Sequence, residues 1–208
     1  MTTRLLPLLL LLTLTSLTAR AEGAENIPTA AQLRASYDKL SADWPPVPQN
    51  ILNAFTATED RNFHSHTPQF SVITIHLGYM QLPRATNKMV WNGYASVIAG
   101  EFTKDEILNW YINTVFLGQG CYGVHDAAQA YFGKSVDDLG LAETAYLAAI
   151  PKAPTMLNPT RHYDRALQRR NFVLRKMASA GFIKPEDAEA AQAMDLAVQS
   201  PIELCHSK

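Results

Sequence analysis

The stretch from Thr103 to Gly123 constrains this chain more than any other. Thr103 and Glu106 stand three residues apart as a capping box, in which each side chain satisfies a backbone donor that a helix start leaves free. Ile107, Leu108, Tyr111, Ile112 and Val115 then recur on one face, the spacing of an amphipathic helix that must bury that face against other elements. The pattern runs to Gly118, and a glycine-flanked turn carries Cys121 on to Gly123.

Helix patterns also dominate the rest of the chain. Thr29 and Gln32 form a second capping box, followed by Leu33, Tyr37 and Leu40 at helical spacing. Trp44-Pro45-Pro46-Val47-Pro48 ends that helix, because proline cannot donate to a helix ladder and restricts the residue before it. A short helix carrying Ile51, Leu52 and Phe55 then leads to Glu59. A helix is predicted from Asp137 to Ile150, stopped by Pro151, and another, rich in Arg165, Arg169, Arg170 and Arg175, runs to Gly181. The arginines of this helix read as a solvated face. Pro185, with Glu186 and Asp187 beside it, opens a last Ala-rich helix. The mixed β-branched run from Phe70 to Ile75 is open to a short strand. The fold class is therefore mainly α, in a single domain.

The first residues read as an address rather than as structure. Arg4, the apolar run Leu5 to Leu12 and the small-residue triplet Ala19-Arg20-Ala21 resemble a cleavable secretory signal over residues 1–21. Threonine and serine interrupt the run too early for a membrane span of about 20 apolar residues. An exported, periplasmic or extracytoplasmic protein is expected, with membrane contact only peripheral. The formal net charge is −1, and residues 1–21 hold two arginines and no acid, so the remainder carries −3. Such a balance argues against nucleic acid as a partner, since phosphates demand a basic face. Cys121 and Cys205 are the chain's two cysteines, and an oxidising compartment permits either a bridge or two free thiols. Cys121 as a nucleophile has only its place in the turn to support it.

From about Ile51 nearly to Ile183 the sequence resembles glycosyltransferase family 51, enzymes that polymerise lipid-linked disaccharide into the glycan strands of peptidoglycan. The resemblance is carried by Lys104-Asp105-Glu106-Ile107-Leu108, Tyr111-Ile112-Asn113 and Gly118-Gln119-Gly120-Cys121-Tyr122-Gly123-Val124. It continues through Ala127-Ala128-Gln129, Tyr131-Phe132-Gly133-Lys134, Pro151, Ala153-Pro154 and Asn158-Pro159. It implies a lysozyme-like, largely helical transglycosylase fold. The chain then divides into a signal at 1–21, an N-terminal helix and Pro-rich connector at 22–50, a transglycosylase-like domain at 51–195 and a tail at 196–208.

The resemblance also implies roles. Ala57-Thr58-Glu59-Asp60-Arg61-Asn62-Phe63-His64-Ser65-His66 reproduces the family's first catalytic motif, which makes Glu59 the candidate general base for the acceptor sugar's 4-hydroxyl. Asp60 would orient the turn through backbone hydrogen bonds, and His66 would hydrogen-bond or pack. With them, Ser71 and Thr74 of the second motif, Lys88 of the third and Asn113 of the fourth make up the expected substrate-binding set. The departures fall on the donor side. Both glutamines of the second motif are lost, Tyr79 stands at its following lysine, Asn87 replaces the third motif's arginine, and Trp91 replaces the second glutamate. An indole donates one hydrogen bond and offers neither charge nor a metal ligand where the family stabilises a leaving pyrophosphate.

His76 and Arg84 are the nearby candidates to replace the lost groups. Glu101, ten residues beyond Trp91, falls about 80° off its helical face. The link from Phe63 to Ser71 is shorter than the family's membrane-touching jaw. His76 and His125 lack ligand spacing, so no metal is assigned, although polymerisation would imply a divalent cation. Two readings follow for the partner, lipid-linked disaccharide or glycan strand. The chain is either a peptidoglycan glycosyltransferase with Glu59 as base, or a non-polymerising module that binds glycan, precursor or another wall-synthesis protein. Glycan cleavage is a distant third, for nothing specifies a second carboxylate.

Overall fold

The computed structural model describes residues 27–82 and 87–205 of the chain. Nine α-helices account for most of the described residues: α1 Ala30–Ser41, α2 Gln49–Glu59, α3 Val72–Gln81, α4 Lys88–Glu101, α5 Lys104–Thr114, α6 Val124–Phe132, α7 Leu141–Ala149, α8 Tyr163–Ser179 and α9 Pro185–Ala193. Short 3₁₀ turns lie at Pro68–Phe70, Val136–Asp138 and Ile150–Lys152. Among the described residues there is no strand, only an antiparallel bridge between Phe116 and Tyr122. No helix among them is long and apolar enough to cross a membrane. Residues 1–21, read as an export signal, lie outside the described residues, as does Arg84.

Two helices form the centre. In α5, Ile107, Trp110, Tyr111 and Ile112 are wholly buried, and both halves of the Thr103/Glu106 capping box are present. In α7, every residue from Ala145 to Ala149 is buried, so the second half of this helix is covered on all sides, as in a core helix. Its alanines let α2 and α8 approach closely, and both pack against it. The helix expected from Asp137 begins only at Leu141, because Glu143 reaches back to the Gly140 backbone N–H at 2.7 Å and fixes the start there.

The run from Phe70 to Ile75 is a correction. Ser71 accepts a hydrogen bond from Ile73 N and caps α3, which occupies this segment instead of a strand. The short helix packs between α4 and α5, and tertiary burial decides what an all-apolar run becomes. The solvated face expected of the arginine-rich helix is a second correction. Arg165 and Arg175 are exposed, but Arg170 is fully buried, donating to the carbonyl oxygens of Met194 at 2.8 Å and Gln192 at 3.0 Å, and Arg169 is partly buried. Gly181 does end α8, at φ 75°, with Phe182 N donating to Met177 O and Gly181 N to Ala178 O. Those two bonds make a Schellman stop.

Beyond α9 the chain returns along α6. Gln199 N donates to Tyr131 O, Glu203 N to Ala130 O and Cys205 N to Gln119 O, while Leu196 and Ile202 are buried. Cys205 is disulfide-bonded to Cys121, 84 residues earlier, with Cα atoms 4.8 Å apart. The two cysteines are therefore paired, and Cys121 is no free nucleophile.

Candidate functional site

The site begins where α2 ends. Asp60 leaves the helix at φ −157°, and its carboxylate then folds the following loop on itself. Asn62 N donates to Asp60 Oδ1 at 3.2 Å, and His66 Nε2 lies 2.9 Å from Asp60 Oδ2. His66 Nδ1 is 2.9 Å from the Thr67 carbonyl oxygen. Both partners of this ring can only accept, so its doubly protonated form fits best. The Thr67 carbonyl first, and Asp60 second, raise the His66 pKa. Phe63, fully buried, anchors the loop, and Lys104 Nζ donates to His64 O. Asp60 and His66 therefore hold the turn that presents Glu59.

Glu59 itself lies mostly buried, and burial raises its carboxyl pKa, opposed by the positive charges of Arg169 and Lys152. Among the described residues no cation comes within 4 Å of that carboxylate. Arg169 stacks on Phe172 at 4.6 Å, and its Nε is buried without a hydrogen-bond partner among the described residues. Tyr111 is close enough to feel the charge of Glu59: its pKa is driven up by burial and then by that carboxylate. Its hydroxyl lies 3.4 Å from His76 Nδ1. Sequence reasoning missed Arg169 and Lys152. For Arg169 the signal was its place beside Arg170, which falls on the buried stripe Ala166, Arg170, Val173 and Met177.

A carboxylate kept in such surroundings works against stability at neutral pH. A raised folded pKa means that the stability tied to Glu59 is present in acid, below the unfolded value, and is lost as pH rises through the folded one. Glu59→Gln is therefore expected to be more stable than the wild type at pH 7, on the order of 1 kcal/mol, with the gap closing towards pH 4. Thermal unfolding at both pH values checks this, and a variant less stable at pH 7 would show that Arg169 and Lys152 overcompensate the burial.

A cleft of about 580 Å³ opens between α3 and the turn after α5. His76 and Tyr79 from α3, Phe116 and Tyr122 from the turn after α5, and Pro151 and Pro154 lie in its wall. Glu59 is not part of that wall; His76, which is, lies within reach of the Tyr111 hydroxyl. The expected substrate-binding residues do not gather in the cleft. Ser71 is buried as the cap of α3, and Thr74 is buried with no hydrogen-bond partner for its hydroxyl among the described residues. Lys88 is exposed at the start of α4, and Asn113 Nδ2 donates to Asn109 O at 2.9 Å.

The positions that depart from the family's pattern do meet. Trp91 packs edge-on against Tyr79, ring centroids 4.7 Å apart. Asn87 accepts from Met89 N and Val90 N, capping α4. Glu101 is engaged elsewhere: Arg34 donates to its carboxylate at 3.3 Å and also to its backbone oxygen, and bonds Glu106 at 2.6 Å. His76 reaches the cleft, held neutral by burial, which lowers its pKa.

Comparison with known proteins follows the same lines. Residues 79–178 match the transglycosylase family. Penicillin-binding protein 1A of Aquifex aeolicus is 39% identical over 178 residues, covering 74% of this chain and 24% of that protein. Penicillin-binding protein 1A of Rickettsia conorii is 37% identical over 186 residues, covering 76% and 23%. The crystal structure of penicillin-binding protein 1A from Haemophilus influenzae superposes with a TM-score of 0.52 at 34% identity, over 76% of this chain and 17% of that one. The chain thus spans about a quarter of the length of the curated relatives it matches.

Proposed function

We propose, from the premise that this chain carries a transglycosylase-family domain on a mainly α, lysozyme-like fold, that it is an exported wall-synthesis protein which binds lipid-linked disaccharide or glycan strand and does not polymerise it alone. The observation that carries this reading is the contact between Tyr79 and Trp91. The resemblance assigns a lysine and the second glutamate to those two positions, so an aromatic pair stands where cation and carboxylate would meet a leaving pyrophosphate. Phosphoryl charge needs preorganised cations or several donors, and this pair brings no charge, only one hydroxyl and one indole N–H. Trp91 likewise gives a divalent cation no ligand.

The acceptor side is better kept. Glu59, on a turn braced by Asp60 and His66, has the burial and the neighbours of a carboxylate tuned to take a proton. In this reading residues 51–195 form the transglycosylase-like unit, 22–50 the N-terminal helix and connector, and 196–208 a tail joined to the unit by the Cys121–Cys205 bridge. Ser71, Thr74, Lys88 and Asn113 remain the substrate-binding set that the resemblance implies, although none of them lines the cleft.

The test is polymerisation of fluorescent lipid-linked disaccharide by the protein without its signal, with precursor binding measured in parallel. Bound precursor and no polymer is the expected result. Polymer that disappears in Glu59→Gln would instead make the chain a glycosyltransferase that has dispensed with the second glutamate.

A further inference from the structure

Tyr79, Phe116 and Tyr122 are 42%, 39% and 57% exposed, so large rings that could have been buried instead face water around one concavity. Large exposed apolar rings grouped at a cleft mark a place where something docks. Phe116 and Tyr122 stand as a pair, centroids 5.1 Å apart, tied to each other by the antiparallel bridge. Their spacing is set by the turn between them, where Gly118, Gly120 and Gly123 all take positive φ. At Gly123 a side chain would meet Asn113 O at 2.4 Å, so the turn closes on α5 only with glycine there.

The chemistry of this wall favours one kind of ligand. A pyranose ring offers an apolar C–H face to an aromatic ring and hydroxyls at its edge, and Gln81, Thr114 and His76 supply polar groups there. The cleft volume of about 580 Å³ lies within the roughly 300–1,000 Å³ of small-molecule sites. No lysine, arginine or acid lines the cleft among the described residues, so the described wall offers a pyrophosphate no charged partner. Unpaired charge brought to such a wall offsets part of what the ring contacts return, so a pyrophosphate-linked sugar binds there more weakly than an uncharged one. Lys152, next to Pro151, is exposed and does not line the cleft.

We infer that this cleft selects an uncharged amino-sugar strand over a pyrophosphate-linked sugar, with Tyr122, Phe116 and Tyr79 as the stacking platform that sets the preference. The inference rests on the binding reading above and names the ligand class of the same site.

Calorimetric titration of the signal-free chain separates the two. The probes are the β-1,4-linked tetramer of N-acetylglucosamine, a water-soluble short-prenyl pyrophosphate of N-acetylglucosamine, and inorganic pyrophosphate. The tetramer is expected to bind at least tenfold more tightly than the pyrophosphate-linked sugar, and inorganic pyrophosphate to give no binding. Tyr122→Ala, at a position 57% exposed, should weaken the tetramer about threefold to tenfold, with an unchanged urea midpoint showing that the turn stays folded. Equal or tighter binding of the pyrophosphate-linked sugar overturns the selectivity and leaves the binding reading standing. If that binding is lost in Arg84→Gln, the phosphate site is Arg84's. Binding of none of the sugars overturns both.

Discussion

Restoring the two missing charges together, as Tyr79→Lys with Trp91→Glu, is expected to yield glycan from lipid-linked disaccharide where the wild type yields none. Each electrostatic group that stabilises developing charge in a transition state is worth roughly 10²–10³-fold in rate, so the pair should carry the reaction from undetectable to readily measured. Neither single change should suffice. Tyr79 and Trp91 touch at 4.7 Å, so Tyr79→Lys alone sets an ammonium against an indole and Trp91→Glu alone sets a carboxylate against a phenol ring. Residues in direct contact are where additivity fails.

The product of that double variant should depend on Glu59 and on pH. A general base must be ionised, and burial holds the Glu59 carboxyl above its ordinary range. Activity should therefore rise with pH and reach half its maximum above the usual carboxylate value, and adding Glu59→Gln should abolish it. A folded double variant that binds precursor yet makes no polymer would show that the donor side lacks more than these two charges. The lost glutamines of the second motif would then be the next groups to restore.

What could be read from the sequence was local. The Thr29/Gln32 and Thr103/Glu106 boxes, the glycine stop at Gly181 and the proline start at Pro185 each rest on side chains within a turn of the backbone they satisfy, and all are present in the fold. Motif spacing likewise brought Glu59, Asp60 and His66 into one turn. What could not be read depended on which helices pack together. Val72–Gln81 is apolar nearly all round, so no period separated helix from strand, and only its place between α4 and α5 decides. Arg169 was assigned to solvent by spacing, yet α2 and α8 both pack on α7, which brings its charge to Glu59. The ring contact between Tyr79 and Trp91 depends on α3 and α4 folding back on each other, which no local rule specifies.

Removing the bridge by Cys205→Ser should cost about 2–4 kcal/mol, read as a lower urea midpoint for unfolding. The bridge closes a loop spanning 84 residues of sequence, and freeing so long a loop returns a large entropy to the unfolded chain. Native contacts add to this. Cys205 N donates to Gln119 O, and the Cys205 carbonyl oxygen lies only 2.6 Å from where a Gly120 side chain would begin, so tail and turn fit closely only with glycine there. The same turn carries Tyr122 into the cleft. Loss of the bridge should therefore weaken binding of the uncharged tetramer along with stability, whereas loss at an unrelated site of equal cost should leave binding intact. A dithiol reductant should lower the wild-type midpoint to that of Cys205→Ser and leave the variant unmoved. An unchanged wild-type midpoint under reductant would mean that the backbone bonds from Gln199, Glu203 and Cys205 hold the tail without the covalent link.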